Sequence, residues 1–130
     1  MSKAHGKAEV KLVNHIIYCK LSGSFNDLGC RQYTQQVKQC ITTLNEQPFA
    51  MLIDDLELEG GTPEAYEQLQ AYNEWLTTQA IIAKAFIIKN KATQQIILQR
   101  SPALLAQNIA FFQQYDDAVH WLEQALALHL

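Results

Sequence analysis

The hydrophobic pattern of the first half of the chain alternates between strand-like and helix-like spacing. Segment 8–21 predicts two short strands around a turn near Asn14, because its apolar side chains follow a period of two. Segment 27–44 predicts a helix, since its apolar residues recur at helical spacing. The short continuous apolar run 49–53, bounded by a turn and two aspartates, predicts a buried strand.

The second half repeats this alternation. Thr62-Pro63-Glu64 predicts a helix start, with a hydroxyl at the N-cap and a proline at the first position, and this helix ends near Thr78. The remaining predicted elements are a buried strand at 81–88, a helix at 90–100, one more turn at 101–105, a strand at 108–112 and a last helix capped by Asp116 or Asp117. Strands that alternate with helices predict a mostly parallel sheet within one α/β domain.

Composition is consistent with a single domain spanning 1–130. The 130 residues are 48% apolar and 18% charged, enough to bury a core. The formal net charge of −3 argues against a nucleic-acid-binding protein, which is usually basic. No stretch is apolar enough for a membrane span, and the first residues carry no apolar signal segment, so we expect a cytoplasmic protein, peripheral to a membrane at most.

Acidic residues are concentrated in the middle of the chain. No Lys or Arg occurs between Lys38 and Lys84, and this stretch holds eight acidic residues. We expect an acidic loop at 54–61, which with the start of the next helix forms a surface for a basic protein partner. The residues predicted for this surface are Asp54, Asp55, Glu57, Glu59, Thr62 and Glu64. A solvated face without a partner is the alternative.

The residue types that would indicate an enzyme or a metal site do not form recognisable patterns. The three cysteines and four histidines lack zinc-site spacing, and no glycine-rich phosphate loop is present. No nucleophile has a base nearby in sequence, and the carboxylates at 54–59 lack the register of a calcium loop. We therefore expect a non-enzymatic protein without a metal or cofactor.

An aromatic and aliphatic helix face supports a different function. Tyr66, Tyr72, Trp75 and Leu76 share the predicted second helix, with Trp75 beside the inward stripe. A half-exposed face of this kind is typical of binding or lipid-facing surfaces, although an aromatic at the edge of the core has the same pattern. A cavity of about 300 Å³ or more between sheet and helices would favour this alternative, a carrier.

Several packing motifs together resemble a known family. They are Leu21-Ser-Gly23, Tyr33, Met51-Leu-Ile-Asp54, Thr62-Pro-Glu-Ala65, the strand around 83–88, Ile109-Ala-Phe-Phe112, Asp116-Asp-Ala118 and Trp121-Leu122. Over residues 8–126 the chain resembles the SpoIIAA-like branch of the STAS domains, which are found in anti-sigma-factor antagonists and sulfate-transporter tails. The resemblance implies a mixed sheet of four to five strands with about four helices mainly on one face.

The same resemblance implies a regulatory function with one departure. Antagonist members carry a phosphorylatable serine in an Asp-Ser-Ser-Gly-Leu motif. Here the corresponding stretch is Gly60-Gly-Thr-Pro-Glu64, so the motif is absent and Thr62 is expected to act as a helix N-cap. We expect a non-enzymatic STAS-type protein-interaction module; the alternative is a carrier of an apolar small molecule or lipid, or a reversibly membrane-associating protein.

Overall fold

The computed structural model describes residues 3–130. Its elements in chain order are β1 (Lys7–Val13), β2 (Ile16–Phe25), α1 (Asp27–Leu44), β3 (Phe49–Gly61), α2 (Pro63–Thr77), β4 (Ile81–Ile87), α3 (Lys91–Arg100), a 3₁₀ turn (Pro102–Ala106), β5 (Ile109–Phe112) and α4 (Tyr115–Ala127). The predicted alternation of strands and helices is therefore confirmed.

The sheet has five strands in the order in which they occur in the chain. β1 and β2 form an antiparallel hairpin, which turns at Asn14 with a φ of 55°. β2, β3, β4 and β5 are parallel to their neighbours. This is the mixed five-stranded sheet that the sequence predicts.

The two faces of the sheet are covered by different helices. Helices α1, α2 and α3 pack on one face, which we call the pocket face, and α4 packs on the other, the α4 face. Three of the four helices of the described chain thus share one face, as expected. Because neighbouring residues of a strand point to opposite faces, each central strand contributes to both cores.

Helix starts follow the predicted capping chemistry with one exception. The Thr62 hydroxyl accepts a hydrogen bond from the Ala65 amide at 3.1 Å, which confirms the predicted N-cap of α2. The prediction that Asp116 or Asp117 caps the last helix is wrong. Helix α4 begins at Tyr115, before both aspartates, so Gln114 occupies the cap position without a side-chain hydrogen bond, and both aspartates lie in the first turn.

The predicted acidic loop at 54–61 is wrong, because β3 continues through Gly61. Its second half pairs with the second half of β2, so the backbone groups of both segments gain hydrogen-bond partners. The pairing shifts between Lys20–Asp54 and Ser22–Glu57, so β3 carries one extra residue there. Such a bulge changes which side chains point to which face beyond it.

Candidate functional site

A pocket lies on the pocket face, between the sheet and the helices. Its volume is about 150 Å³. Most of its wall is apolar, formed by Leu21, Ile53, Leu58, Leu69, Phe86, Ile96, Ile97 and Leu104. A cavity of roughly 150 Å³ with similar walls can hold benzene in another protein, so the volume here suits a single ring. It is below the size of about 300 Å³ that a carrier of larger ligands requires.

Polar side chains gather in the same pocket. Each of these side chains is buried, and they come from five different parts of the chain. They are Tyr33 from α1, Asp55 from β3, Tyr72 and Asn73 from α2, Lys84 from β4, and Ser101, which follows α3. We call these six residues the polar cluster. Lys84 is 2% exposed and Asp55 is 5% exposed, which is rare for charged residue types.

Lys84 and Asp55 are the ionisable pair of this cluster. The Lys84 ammonium donates a hydrogen bond to Asn73 Oδ1 at 2.8 Å. Burial lowers the pKa of Lys84 to about 7, while Asp55 opposes this change. Burial, and then repulsion from Asp54, raises the pKa of Asp55 to about 8. Each group attracts the other, yet the ion pairs of the described residues do not include this pair.

Three polar atoms of the cluster make no hydrogen bond within residues 3–130. They are Asp55 Oδ1, the Tyr72 hydroxyl and Ser101 Oγ. The Tyr72 ring packs against that of Tyr33 with 6.0 Å between their centroids, but their hydroxyls do not satisfy the hydrogen-bond geometry. Since most buried polar atoms in proteins are hydrogen-bonded, this end of the pocket is suited to a polar ligand group.

Helix α3 forms the mouth of the pocket. None of its residues is buried, and Ile96, which lines the pocket, is 49% exposed. The Arg100 guanidinium lies over the Tyr66 ring at 4.9 Å, and the exposed Glu59 stands at the same rim. Loose packing of a covering helix is typical of an element that can admit a ligand.

The structure separates the residues predicted to form the acidic surface. Asp55 is buried in the pocket, so its predicted exposure is wrong. It follows Met51 and Ile53 at every second position of β3, so it points to the same face of the sheet as they do. Asp54 lies on the α4 face with Tyr18 and Tyr115.

The other predicted acidic-surface residues are exposed. Glu57 forms an ion pair with Lys20 at 2.9 Å. Glu59, Thr62 and Glu64 are exposed around the end of β3 and the start of α2.

The aromatic face predicted on the second helix is also divided. Tyr72 and Leu76 are buried, so they do not form an exposed membrane surface, although Tyr72 lines the pocket. Their positions face the sheet, because they lie on the inward stripe of α2. Trp75 is half-buried under the Lys38 ammonium, 4.9 Å from its ring, while Tyr66 reaches the pocket.

Lys84, Asn73 and Ser101 belong to the site but are not predicted from the sequence. A usable signal was present for Lys84, because it interrupts the apolar run Ile81–Ile87 at a position where a strand is buried on both faces. Asn73 carries a similar signal, since it falls on the inward stripe of α2. Ser101 follows α3 in an irregular segment, and no sequence pattern indicates that it is buried.

The architecture is that of a SpoIIAA-like α/β fold. A structure described as an uncharacterized DUF3478-family protein with a SpoIIAA-like fold, from Shewanella loihica, superposes with a TM-score of 0.64 at 16% identity, covering 94% of this chain and 97% of that one. An anti-sigma factor antagonist from Mycobacterium paratuberculosis gives a TM-score of 0.64 at 15% identity, covering 92% and 95%. At these identities the similarity shows the fold, and it confirms the predicted one.

Sequence comparisons give no match. No protein-family model matches the chain, and no curated protein is detectably similar to it. None of the helices between residues 3 and 130 has the length and apolar character that crossing a membrane requires. Across the same residues, no three His, Cys, Asp or Glu side chains are grouped so that they could hold a metal ion.

Proposed function

We propose that this chain is a small non-enzymatic binding module that takes a small molecule, about the size of one ring, into the pocket. One observation carries the proposal: a pocket with apolar walls contains buried polar atoms that have no hydrogen-bond partner. A few convergent polar groups in a mostly apolar pocket are the usual composition of a small-molecule site.

The size of the pocket narrows the alternatives considered from the sequence. A volume of about 150 Å³ favours a small apolar molecule over a lipid. Membrane association through the aromatic face is not favoured either, since Tyr72 and Leu76 are in the core. Of the alternatives, the geometry therefore supports binding of a small molecule with one ring.

Nuclear magnetic resonance titration with toluene and benzyl alcohol tests this function. Both should shift the backbone amide signals of α2, α3 and β4, which surround the pocket. Ile97→Trp places a larger side chain in the pocket wall and should abolish the shifts. The fold should tolerate this substitution, because no residue of α3 is buried. Leu105→Trp is the matched control, since Leu105 is 73% exposed and outside the pocket. Absence of shifts in the wild type would overturn the proposal.

A second candidate function is binding of a basic protein by the exposed carboxylates beside the mouth of the pocket. Glu59, Glu64 and Glu67 are exposed in a stretch without a basic residue, and the shared fold includes an anti-sigma factor antagonist. A regulatory module of this kind would use the pocket-side end of β3 and the start of α2, with Asp55 excluded from the contact because it is buried.

Charge reversal distinguishes this candidate. Glu59→Lys with Glu64→Lys should weaken capture of a basic partner from native lysate, as quantified by mass spectrometry. Asp117→Lys with Glu123→Lys is the control, because these two residues are exposed on α4 at the opposite face. Equal capture by both double variants would contradict a specific acidic surface.

A further inference from the structure

The polar cluster offers several hydrogen-bond donors that have no partner within the described residues. A lysine ammonium has three N–H donors, and that of Lys84 uses one of them on Asn73. The hydroxyls of Tyr72 and Ser101 add one donor each, and neither has a partner in the described chain. Asp55 Oδ1 is the carboxyl oxygen among the unpartnered atoms of the pocket. A ligand group rich in acceptors therefore complements this arrangement.

The charge of the cluster indicates the sign of that group. Lys84 is the buried cation of the described residues, and its ammonium is 6.0 Å from the ring centroids of both Tyr72 and Phe86. Burying a cation in an apolar setting is costly unless an anion accompanies it. Because burial raises the pKa of Asp55 to about 8, that carboxyl is largely protonated at pH 7 and does not supply this anion. One charged lysine then matches one negative charge, and a planar carboxylate offers two oxygen acceptors to its two free N–H groups.

We propose that the pocket binds a small monocarboxylate with an apolar body of about one ring, whose head group contacts Lys84, Tyr72 and Ser101, and that binding takes up a proton. The proposal rests on the proposed function, because it names the ligand class of the same pocket. The carboxylate proposal concerns the head group of the ligand, whereas the proposed function concerns the entry of a single-ring molecule between the apolar walls.

Proton uptake follows from the two ionisable groups of the cluster. With pKa values of about 7 for Lys84 and about 8 for Asp55, the pair holds roughly one proton near pH 7.5. A bound carboxylate favours the charged lysine and, by repulsion, the neutral aspartic acid, so the complex holds two protons. Affinity should therefore fall as pH rises above about 7, by about tenfold per pH unit near pH 7.5 and more steeply above pH 8.

Other groups that face the pair do not supply this proton. Burial raises the pKa of Cys19 on β2 to about 12, and burial holds the pKa values of Tyr33 on α1 and Tyr72 on α2 well above their ordinary value. All three thus stay protonated between pH 6 and 9. Asp54 lies on the opposite face of β3, and the charged side chains at the mouth, Glu59 and Arg100, are exposed and of opposite sign.

Three ligands with the same ring test the head group: benzoate, benzyl alcohol and benzylammonium. Calorimetry at pH 6.5 should give benzoate an affinity about tenfold above that of benzyl alcohol, and raising the pH to 8.5 should remove this advantage completely. Affinity for benzyl alcohol should not depend on pH. Titrations at pH 7.5 in two buffers of different ionisation enthalpy should report about one proton taken up per benzoate.

Variants assign the effect to the cluster. Lys84→Met should lose the benzoate preference and its pH dependence, while binding of toluene, which has no polar head group, reports whether the apolar part of the pocket is intact. Lys89→Met is the control, since Lys89 is exposed two residues after β4. Tyr72→Phe keeps the ring and should weaken benzoate alone by about fivefold, so the head group remains testable if Lys84→Met does not fold.

Each outcome separates the two proposals. Equal binding of benzoate and benzyl alcohol by the wild type would overturn the carboxylate site and leave the pocket function standing. Tighter binding of benzylammonium would also overturn it, because Asp55 would then be the recognition group. Failure of all three ligands, together with toluene, would overturn the proposed function itself.

Discussion

The two faces of the sheet are built from the same strands but differ in packing and in polarity. On the α4 face, β4 presents small and aliphatic residues, Ala83, Ala85 and Ile87, to Leu122 and its neighbours. On the pocket face the intervening positions of β4 are Lys84 and Phe86, and a pocket remains between sheet and helices. The α4 face is packed without a buried charged residue in its core cluster, while the pocket face holds two.

This difference shows where the chain departs from the pattern that favours stability. Alanines at alternate strand positions let a helix approach the sheet closely, so the α4 face gains dispersion contacts. A lysine and an aspartate at equivalent buried positions cost stability instead. Departures of this kind are concentrated at functional sites, which supports the choice of the pocket over the acidic surface as the site.

The largest expected effect contrasts leucines on the two faces. Leu122→Ala should lower the free energy of unfolding by about 2–5 kcal/mol, because Leu122 is fully buried and its loss leaves a cavity. Leu69→Ala should cost less, because Leu69 is half-buried and already borders the pocket. Urea denaturation of both variants measures the difference. An equal cost would show that the pocket wall is packed as tightly as the α4 face.

The second prediction concerns how stability depends on pH. The pKa of Asp55 is raised in the folded state, to about 8, so its contribution to stability falls as pH rises from about 4 to 8. The pKa of Lys84 is lowered, to about 7, so its contribution rises as pH increases from about 7 towards 10.5. Together they predict a stability minimum near pH 7–8.

A double variant isolates this minimum. Asp55→Asn with Lys84→Met removes both titrating groups from the pocket face and leaves the α4 face unchanged. The difference in unfolding free energy between wild type and double variant, measured from pH 5 to 10, should show the minimum. A difference that does not vary with pH would mean that neither group is perturbed in the folded protein.

The sequence predicted most of the fold because the relevant signals are local. Periodicity located the strands and helices, and the hydroxyl–proline pair at Thr62-Pro63 located the start of α2. Gln114 shows the limit of local signals. A good capping residue at Asp116 or Asp117 did not decide where α4 begins, because the Ala118 amide already donates to the Gln114 carbonyl at 3.3 Å.

The candidate site was predicted less well because it depends on pairing between distant segments. Asp55 follows Met51 and Ile53 at strand spacing, but its burial requires β3 to continue alongside β2. A run of carboxylates is typical of a solvated loop, and that local signal masked the strand. Lys84 was the clearer signal, because a lysine within a run of apolar strand residues has no solvent-facing position to occupy.

A third prediction tests the capping of α2, the helix that carries Tyr72 and Asn73 into the pocket. Thr62→Ala should cost about 0.5–2 kcal/mol, since the Ala65 amide loses its acceptor. Thr42→Ala is a suitable control, because its exposed hydroxyl bonds the Lys38 carbonyl within α1 and adds little to stability. Equal costs for the two variants would argue against a capping role.

The same residue bears on regulation. We predict that Thr62 is not a phosphosite, because a phosphate there would join a stretch of acidic residues that has no Lys or Arg close in sequence. Intact-mass measurement and phosphopeptide mapping of protein isolated from its own cells check this expectation. A substantial population phosphorylated at Thr62 would restore a switch of the antagonist type.

The smallest expected effect concerns the start of α4, which lacks the side-chain cap that α2 has. Gln114 has extended backbone angles, φ −113° and ψ 132°, which suit an N-cap residue. Gln114→Ser should therefore supply the missing acceptor and raise the free energy of unfolding by about 0.5–1 kcal/mol. Gln124→Ser, at an exposed position inside α4, should give no gain, because serine is a weaker helix former than glutamine. Thermal denaturation of the two variants compares them directly. A higher unfolding free energy for Gln114→Ser would show that the α4 face, although the better packed of the two, still has an uncapped helix end. An unchanged value would mean that Asp116 and Asp117 in the acidic first turn already compensate the helix dipole.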